Sequence, residues 1–404
     1  MYFGIISIST IIKQFFFFAF HHRYHESSIK ESTRLSRDQG SSRVYVLGIE
    51  TKLPSQTITL TVSKNKAQMI NLIVKDLVDH KDSIQAKLVI TGSDPIPIEI
   101  NSGVIIQRYD MRITHEEADT ILIHQCASVK VEHKLIVAED TDVFVLLCHF
   151  VHKGDILGSV KMVGPARNRA IIDINMTAQH HFAILPDLLA AHALTGCDTV
   201  GMCYGIGKAA ALKILRSKQH SLAKLGDMTC HLDEVYDQAL AFMLACYNQG
   251  TCQSMSDARY KIWVNKVSQR LASAPKIESL PPTDEAFKEN VARAHLQAAI
   301  WKYSLDADPP TLDPCNYGWM KDPLSHMGSL EPITVPTGTP IAPEDILKLI
   351  RCGCDSAQPC KSQRCSCNAA QIACTAFCKC QGSHHCYNVK TNEYLQLEEY
   401  ELSH

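Results

Sequence analysis

Nine cysteines crowd into residues 352–386, and no other feature of the chain limits its folding as sharply. They run Cys352-x-Cys354, five residues, Cys360, four residues, Cys365-x-Cys367, six residues, Cys374, three residues, Cys378-x-Cys380, five residues, Cys386. So little apolar sequence lies between them that the segment has no core of its own to fold around. Thiolates on zinc in a reducing compartment supply one, whereas disulfides or free buried thiols are the competing reading. Three separate tetrahedral sites would need twelve ligands, so nine suffice for about three zinc ions only if three cysteines each bridge two metals. His384 and His385 are read as exposed, since the thiolates already complete the set.

The remaining eight of the 17 cysteines are scattered singly along a chain of 404 residues, long enough for two or three domains. With 40 basic against 42 acidic residues, no global field draws the chain to nucleic acid, and any such binding must come from local patches. Residues 1–42 read as an apolar leader and a flexible lead-in. The leader, Met1 to Phe20, is interrupted by Lys13 and Gln14, which argues against a targeting or membrane role.

From residue 43 to 225, short β-branched runs alternate with helical stretches, the pattern of an α/β domain around a mainly parallel sheet. Strands are expected at Val44–Ile49, Thr57–Val62, Leu88–Thr91, Val104–Ile106, Leu135–Ala138 and Ala170–Ile174, and helices at Lys66–Asp79, Glu116–Ser128 and Asp142–Val151. Residues 226–305 read as a helical extension. Eight of the 17 prolines fall between Pro309 and Pro343, so 306–348 reads as an extended linker. The cysteine module takes 349–388 and an acidic tail 389–404.

Acidic residues punctuate the α/β region. Glu117 and Asp119 open a helix, Asp140 and Asp142 follow directly on a strand, and Asp198 sits in Thr195-Gly196-Cys197-Asp198. Loops beyond the carboxyl ends of strands are where sites assemble in such sheets. Carboxylates gathered there repel unless a cation joins them, and the usual one is oxygen-seeking Mg²⁺ or Mn²⁺. The alternative is that they are helix caps favoured by the helix dipole. Gly205 and Gly207 mark a tight turn before a helix, where free N–H groups can face a phosphate. Lys208, Lys213, Arg216 and Lys218 follow as countercharge, or as a solvated face.

These fragments, over roughly Thr114 to Leu215, resemble the flap endonuclease and XPG family of PIN-like nucleases. Glu117-Ala118-Asp119 is similar to its Glu-Ala-Glu, and Ala138-Glu139-Asp140-Thr141-Asp142 to its Ser-Glu-Asp-x-Asp. Leu194-Thr195-Gly196-Cys197-Asp198 resembles its Leu-x-Gly-Cys-Asp, and Gly205-Ile206-Gly207-Lys208 begins a stretch like its Gly-Ile-Gly-x-Lys-x-Ala-Leu-Lys. The resemblance implies that Glu117, Asp119, Asp140, Asp142 and Asp198 are ligands of catalytic Mg²⁺ or Mn²⁺. It also implies a helix-two-turn-helix element at Gly205–Lys208 gripping duplex backbone. The family's further aspartates on N-terminal strands have no convincing counterpart; Glu50 and Asp94 are the nearest acidic residues.

The tail resembles the tesmin-type CXC module, which implies DNA binding through the residue before the second Cys-x-Cys pair, here Arg364 where tesmin-like members carry tyrosine. Arginine suits a narrow minor groove. Together the resemblances imply a nuclear DNA-binding protein with a nuclease-like domain, in a layout resembling proteins of mobile-element origin. The alternatives are a catalytically inactive scaffold and a cytoplasmic location. No small-molecule cofactor and no membrane partner are expected, and the sequence leaves the oligomeric state open.

Overall fold

The computed structural model describes residues 3–8, 15–20, 28–30, 44–48, 50–52, 62–166, 169–269, 276–322, 329–334, 351–375, 378–383 and 385–392. The chain divides into two compact units, Met1–Val335 and Pro336–His404.

The large unit is a mixed α/β assembly built on one sheet. Its strands are β1 (Phe3–Ile8), β2 (Phe15–Phe20), β3 (Lys87–Thr91), β4 (Ile98–Asn101), β5 (Val104–Gln107), β6 (His133–Val137), β7 (Ser159–Val163) and β8 (Ile172–Asp173). They lie in the order β5-β4-β3-β2-β1-β6-β7-β8. Only β2 with β3 and β6 with β7 are parallel; the other neighbours are antiparallel. The expected mainly parallel sheet is thus corrected to a mixed one. The physical reason lies in two hairpins. Ser102 and Gly103, both at positive φ, close β4 onto β5 in the tight turn that matches strand twist. The second hairpin is the apolar N-terminus, which the sequence reading set aside as a leader: its strands β1 and β2 fill the centre of the sheet.

The helices follow the apolar pattern more closely. They are α1 (Ser63–Asp79), α2 (Ala118–Ser128), α3 (Thr141–Lys153), α4 (Ile174–His180), α5 (Leu185–Leu194), α6 (Lys208–Ser217), α7 (Leu232–Cys246), α8 (Met255–Gln269) and α9 (Asp284–Lys302). One continuous core runs from Val89 and Ile136 through Leu146 and Phe150 to Phe242, Phe287 and Trp301. The helical region after residue 225 therefore packs as part of the α/β unit. Burial of side chains such as these stabilises by about 1.5–3 kcal/mol each.

Two further expectations change. Among the described residues, 44–48 form no strand; Tyr45 N–H and Leu47 N–H donate to the side chains of Asn65 (2.9 Å) and Gln68 (3.0 Å) on α1. Thr57–Val62, up to residue 61, lies outside the described residues. The proline-rich stretch is not a plain linker as far as residue 334. It forms a hairpin of β9 (Trp319–Lys321) and β10 (Leu330–Pro332). The buried Arg293 guanidinium of α9 ties it down, donating to Gly318 O at 2.8 Å and Ile333 O at 2.7 Å. Trp319 and Leu330 then close over Ile29 and Leu296 in a small satellite core. Among the described residues, no helix is long and apolar enough to cross a membrane.

Among the described residues the small unit has a short helix, α10 (Ser366–Ala369), helical backbone at 389–392, and a core made of its own cysteines with Ile372.

Candidate functional site

Glu117 is the N-cap of α2 and Asp119 lies in its first turn, while Asp140 caps α3 and Asp142 lies in that helix's first turn. Two helix N-termini, each favourable to negative charge, thus present their carboxylates together. Asp140 Oδ1 accepts from Asp142 N–H at 2.9 Å. Asp198 sits in the loop closed by the Cys197–Val200 bridge. Glu117, Asp119 and Asp142 are buried.

Beside Glu117 and Asp119 lies Lys30, which is itself buried. Its ammonium lies 3.2 Å from Glu117 Oε2 and 3.4 Å from Asp119 Oδ2. Burial opposes its charge, yet Glu117, Asp119, Asp142 and Asp198 together hold its pKa above the ordinary lysine range. Burial pushes Asp119 up to about 7, with Lys30 working against it and Glu117, Asp140 and Asp142 adding to it. Asp140 is also raised by burial, in part offset by the Asp142 N–H. Burial would raise Asp142 too, but His192, Lys30 and Lys208 together outweigh it and hold the carboxyl low. His192 Nε2 donates to Asp142 Oδ1 at 2.8 Å and its ring stacks on Trp301 at 5.5 Å.

All five carboxylates named from the sequence therefore share one electrostatic neighbourhood. The donor set is all hard oxygen, and Asp119 Oδ1 is buried with no hydrogen-bond partner, which fits an oxygen-seeking divalent cation. The spacing is wide, however. Among the described residues, only cysteines form groups of three or more ligand atoms within 4.8 Å of one another. The two acidic residues considered for the missing strand positions do not complete the pocket. Glu50 is exposed, and Asp94 Oδ1 accepts from Ile96 N–H of its own loop at 2.8 Å.

Sequence reasoning missed several residues here. Lys30 stood in a polar segment taken for flexible lead-in; its one signal was the apolar Ile29 beside it. Gln297 of α9 reaches both Glu117 carboxylate oxygens at 3.4 Å and accepts from Thr199 at 2.6 Å, bringing the helical region into the site. His192 gives no signal in the sequence, because it shares no ligand spacing with the other histidines.

Lys208 needs the opposite correction. Expected to face phosphate, it turns inward and donates to His192 O (2.6 Å), Thr195 Oγ1 (3.1 Å) and Gly196 O (2.6 Å). It thus caps α5 and fixes the loop carrying Asp198. Lys213, Arg216 and Lys218 are exposed on or just after α6. Gly205, at φ +77°, makes the left-handed turn before that helix, and Gly207 is its N-cap. No side chain would meet a Cβ at either glycine, so the turn is open to solvent.

In the small unit all nine cysteines are free thiols. Cys352 Sγ lies 3.5 Å from Cys360, 3.9 Å from Cys374 and 3.8 Å from Cys380, and Cys367 lies 3.5 Å from Cys378. Tetrahedral zinc with bonds of about 2.3 Å sets its sulfurs about 3.8 Å apart, far beyond a disulfide's ~2 Å. The sulfurs form four overlapping groups of four, and together these include every one of the nine. Cys352 and Cys374 each belong to three of the groups, the sharing that bridging ligands would show. These groups could hold metal ions.

Backbone N–H groups of Asn368, Thr375 and Asn388 donate to Cys365, Cys378 and Cys386 at 3.4–3.5 Å, which favours thiolate. Gly382 packs so tightly that an added Cβ would stand 2.4 Å from Cys374 O. The unit also runs past its expected end at 388. Buried Asn388 donates to Ile372 O at 2.8 Å, and Thr391 Oγ1 accepts from Cys374 N–H at 2.8 Å. Arg351, Lys361, Arg364 and Lys379 are exposed, with Lys379 paired to Asp355. His385 is exposed, and His384 lies outside the described residues.

No family model, curated protein or solved structure matches this chain.

Proposed function

We propose that this is a nuclear DNA-binding protein with two working parts, a PIN-like divalent-metal phosphodiesterase of flap-endonuclease type and a zinc-held CXC module. One observation carries the first part: Glu117, Asp119, Asp140, Asp142 and Asp198, drawn from separate segments, gather around a single buried cation. Such clustering costs electrostatic energy that a purely structural core has no reason to bear. Mg²⁺ or Mn²⁺ held there would activate a water and stabilise the leaving oxygen of a phosphodiester. The chain's own part is to aim the ligands. Helices α2 and α3 set two carboxylates each, His192 orients Asp142, and Lys208 fixes the loop of Asp198.

Exposed Lys213 and Arg216 beside the open Gly205–Gly207 turn would track the phosphate backbone, and Arg364 would enter the minor groove. Metal-dependent cleavage of flapped, single-stranded and duplex DNA tests the reading. Cleavage should require Mg²⁺ or Mn²⁺, and Asp140→Asn should abolish it while leaving DNA binding intact or stronger. Equal cleavage by both proteins would place the chemistry elsewhere.

A second reading, a non-catalytic DNA-binding scaffold, is favoured by one specific observation: Lys30 already pairs with both Glu117 and Asp119. On that reading both proteins bind DNA and neither cleaves it.

A further inference from the structure

The packing of α3, α5 and α6 leaves a gap. Helix α5 packs on both of the others, whereas α3 and α6 hardly touch among the described residues, and between them lies a cavity of about 240 Å³. Its walls come from residues at helical spacing: Phe144 and Cys148 of α3, Leu188 and Ala191 of α5, Ala211 and Leu215 of α6. On α3 the lining runs from Thr141 to Cys148 and on α6 from Lys208 to Arg216, two turns of helix or ~10 Å, so the space is a slot rather than a round hole. An apolar cavity of ~150 Å³ already takes benzene. This one is larger, and a cavity left empty costs stability in proportion to its volume.

The polar groups in its walls are already engaged. Thr195 Oγ1 donates to Ala191 O and Thr177 Oγ1 to Asp173 O, both at 2.7 Å, and His192 Nε2 donates to Asp142 Oδ1. The Lys208 ammonium spends its donors on His192 O, Thr195 Oγ1 and Gly196 O. A buried water needs about two to four polar partners, so the body of the slot suits an apolar chain better than water.

Charge decides which way such a chain lies. Lys208 and Arg216 are the two charged lining residues, and they stand at opposite ends of α6. At the Lys208 end, Thr141 lies between Asp140 and Asp142 in the chain, and a negative head there would be repelled. Arg216, in the last turn of α6, is exposed, and among the described residues no hydrogen bond or ion pair engages its guanidinium.

We infer that the slot binds an amphipathic carboxylate with a short unbranched alkyl chain, its chain between α3 and α6 and its carboxylate on Arg216. The site is separate from the acidic pocket and stands independently of the divalent-metal reading.

Calorimetric titration of the full, zinc-loaded chain with octanoate, octanol and octylamine tests this. Wild type should bind one octanoate saturably, octanol more weakly, and octylamine not at all. Arg216→Gln, a change at an exposed side chain, should weaken octanoate about fivefold and leave octanol unchanged. Ala211→Leu should fill the slot and abolish both. Absence of saturable octanoate binding by wild type would overturn the inference, as would octanoate binding indifferent to Arg216→Gln or octylamine bound as tightly as octanoate. Binding that survives Ala211→Leu would place the ligand on the surface, with the same consequence.

A second measurement needs no variant. Saturating octanoate should slow amide hydrogen exchange in α6, which forms one wall of the slot. Unchanged exchange in α6 at saturation would overturn the inference.

Discussion

The carboxylate pocket and the cysteine module are two answers to the same problem, that of gathering like-charged ligands. The pocket draws its charged groups from segments about 170 residues apart in sequence, from Lys30 to Asp198, and a large apolar core holds them there. The module takes all nine ligands from residues 352–386 and has almost no core besides the sulfurs. Where the fold supplies the energy, the chain can place its own ammonium among the acids. Where the ligands must supply it, only metal will serve.

The comparison makes its largest demand on the module. Cys374 belongs to three of the four sulfur groups, so Cys374→Ser should unfold residues 351–392 and release zinc, and Cys365→Ser should do the same. The energy at stake is that of structural zinc, on the order of 10 kcal/mol. Metal analysis of the full chain should give about three zinc ions for the wild type; one or none would break the bridged arrangement.

In the large unit no single change should weigh as much. Trp319→Ala should lower stability by about 3–5 kcal/mol, because it opens the satellite core over Ile29. Urea unfolding measures this, and the variant should also expose Lys30 to amine labelling. A stability loss without added labelling would mean that Lys30 is held by its ion pairs alone.

These two regions were unequally legible in the sequence. Local spacing shows the cysteine ligands directly, since they are neighbours in the chain. The carboxylates could be named because each follows a strand or opens a helix, and α2, α3 and α6 fall where the apolar pattern puts them. Lys30 was hidden because nothing local explains burying a lysine; its reason is a carboxylate 87 positions later. The N-terminal hairpin is ambiguous in the sequence for a related reason. An apolar run reads alike as a leader or as a central strand, and only its pairing with β3 and β6 decides. The same holds for Trp319, whose proline-rich surroundings read as linker.

A smaller effect concerns acid. Burial and the nearby Lys302 lower His295 from 6.5 to about 4, and its Nδ1 accepts from Gly226 N–H at 2.9 Å, so the folded state holds it neutral. Its contribution is present above the unfolded value and is lost as pH falls from 6.5 towards 4. The melting temperature of the large unit should drop through that window, and His295→Gln should flatten the drop while lowering stability throughout. The smallest expected effect on folding is that of Arg364→Ala, within about 0.5 kcal/mol, as for exposed side chains generally. It should keep its zinc and weaken DNA binding in a filter or anisotropy assay.

The most direct test of the contrast is amide hydrogen exchange on the full chain before and after a strong chelator removes its metals. The account predicts that protection vanishes across residues 351–392 and persists in α2 and α3, where Lys30 still pairs with Glu117 and Asp119. Loss of protection at Ala118–Ser128 and Thr141–Lys153 together with the tail would contradict it, since the pocket would then depend on metal for its fold as the module does.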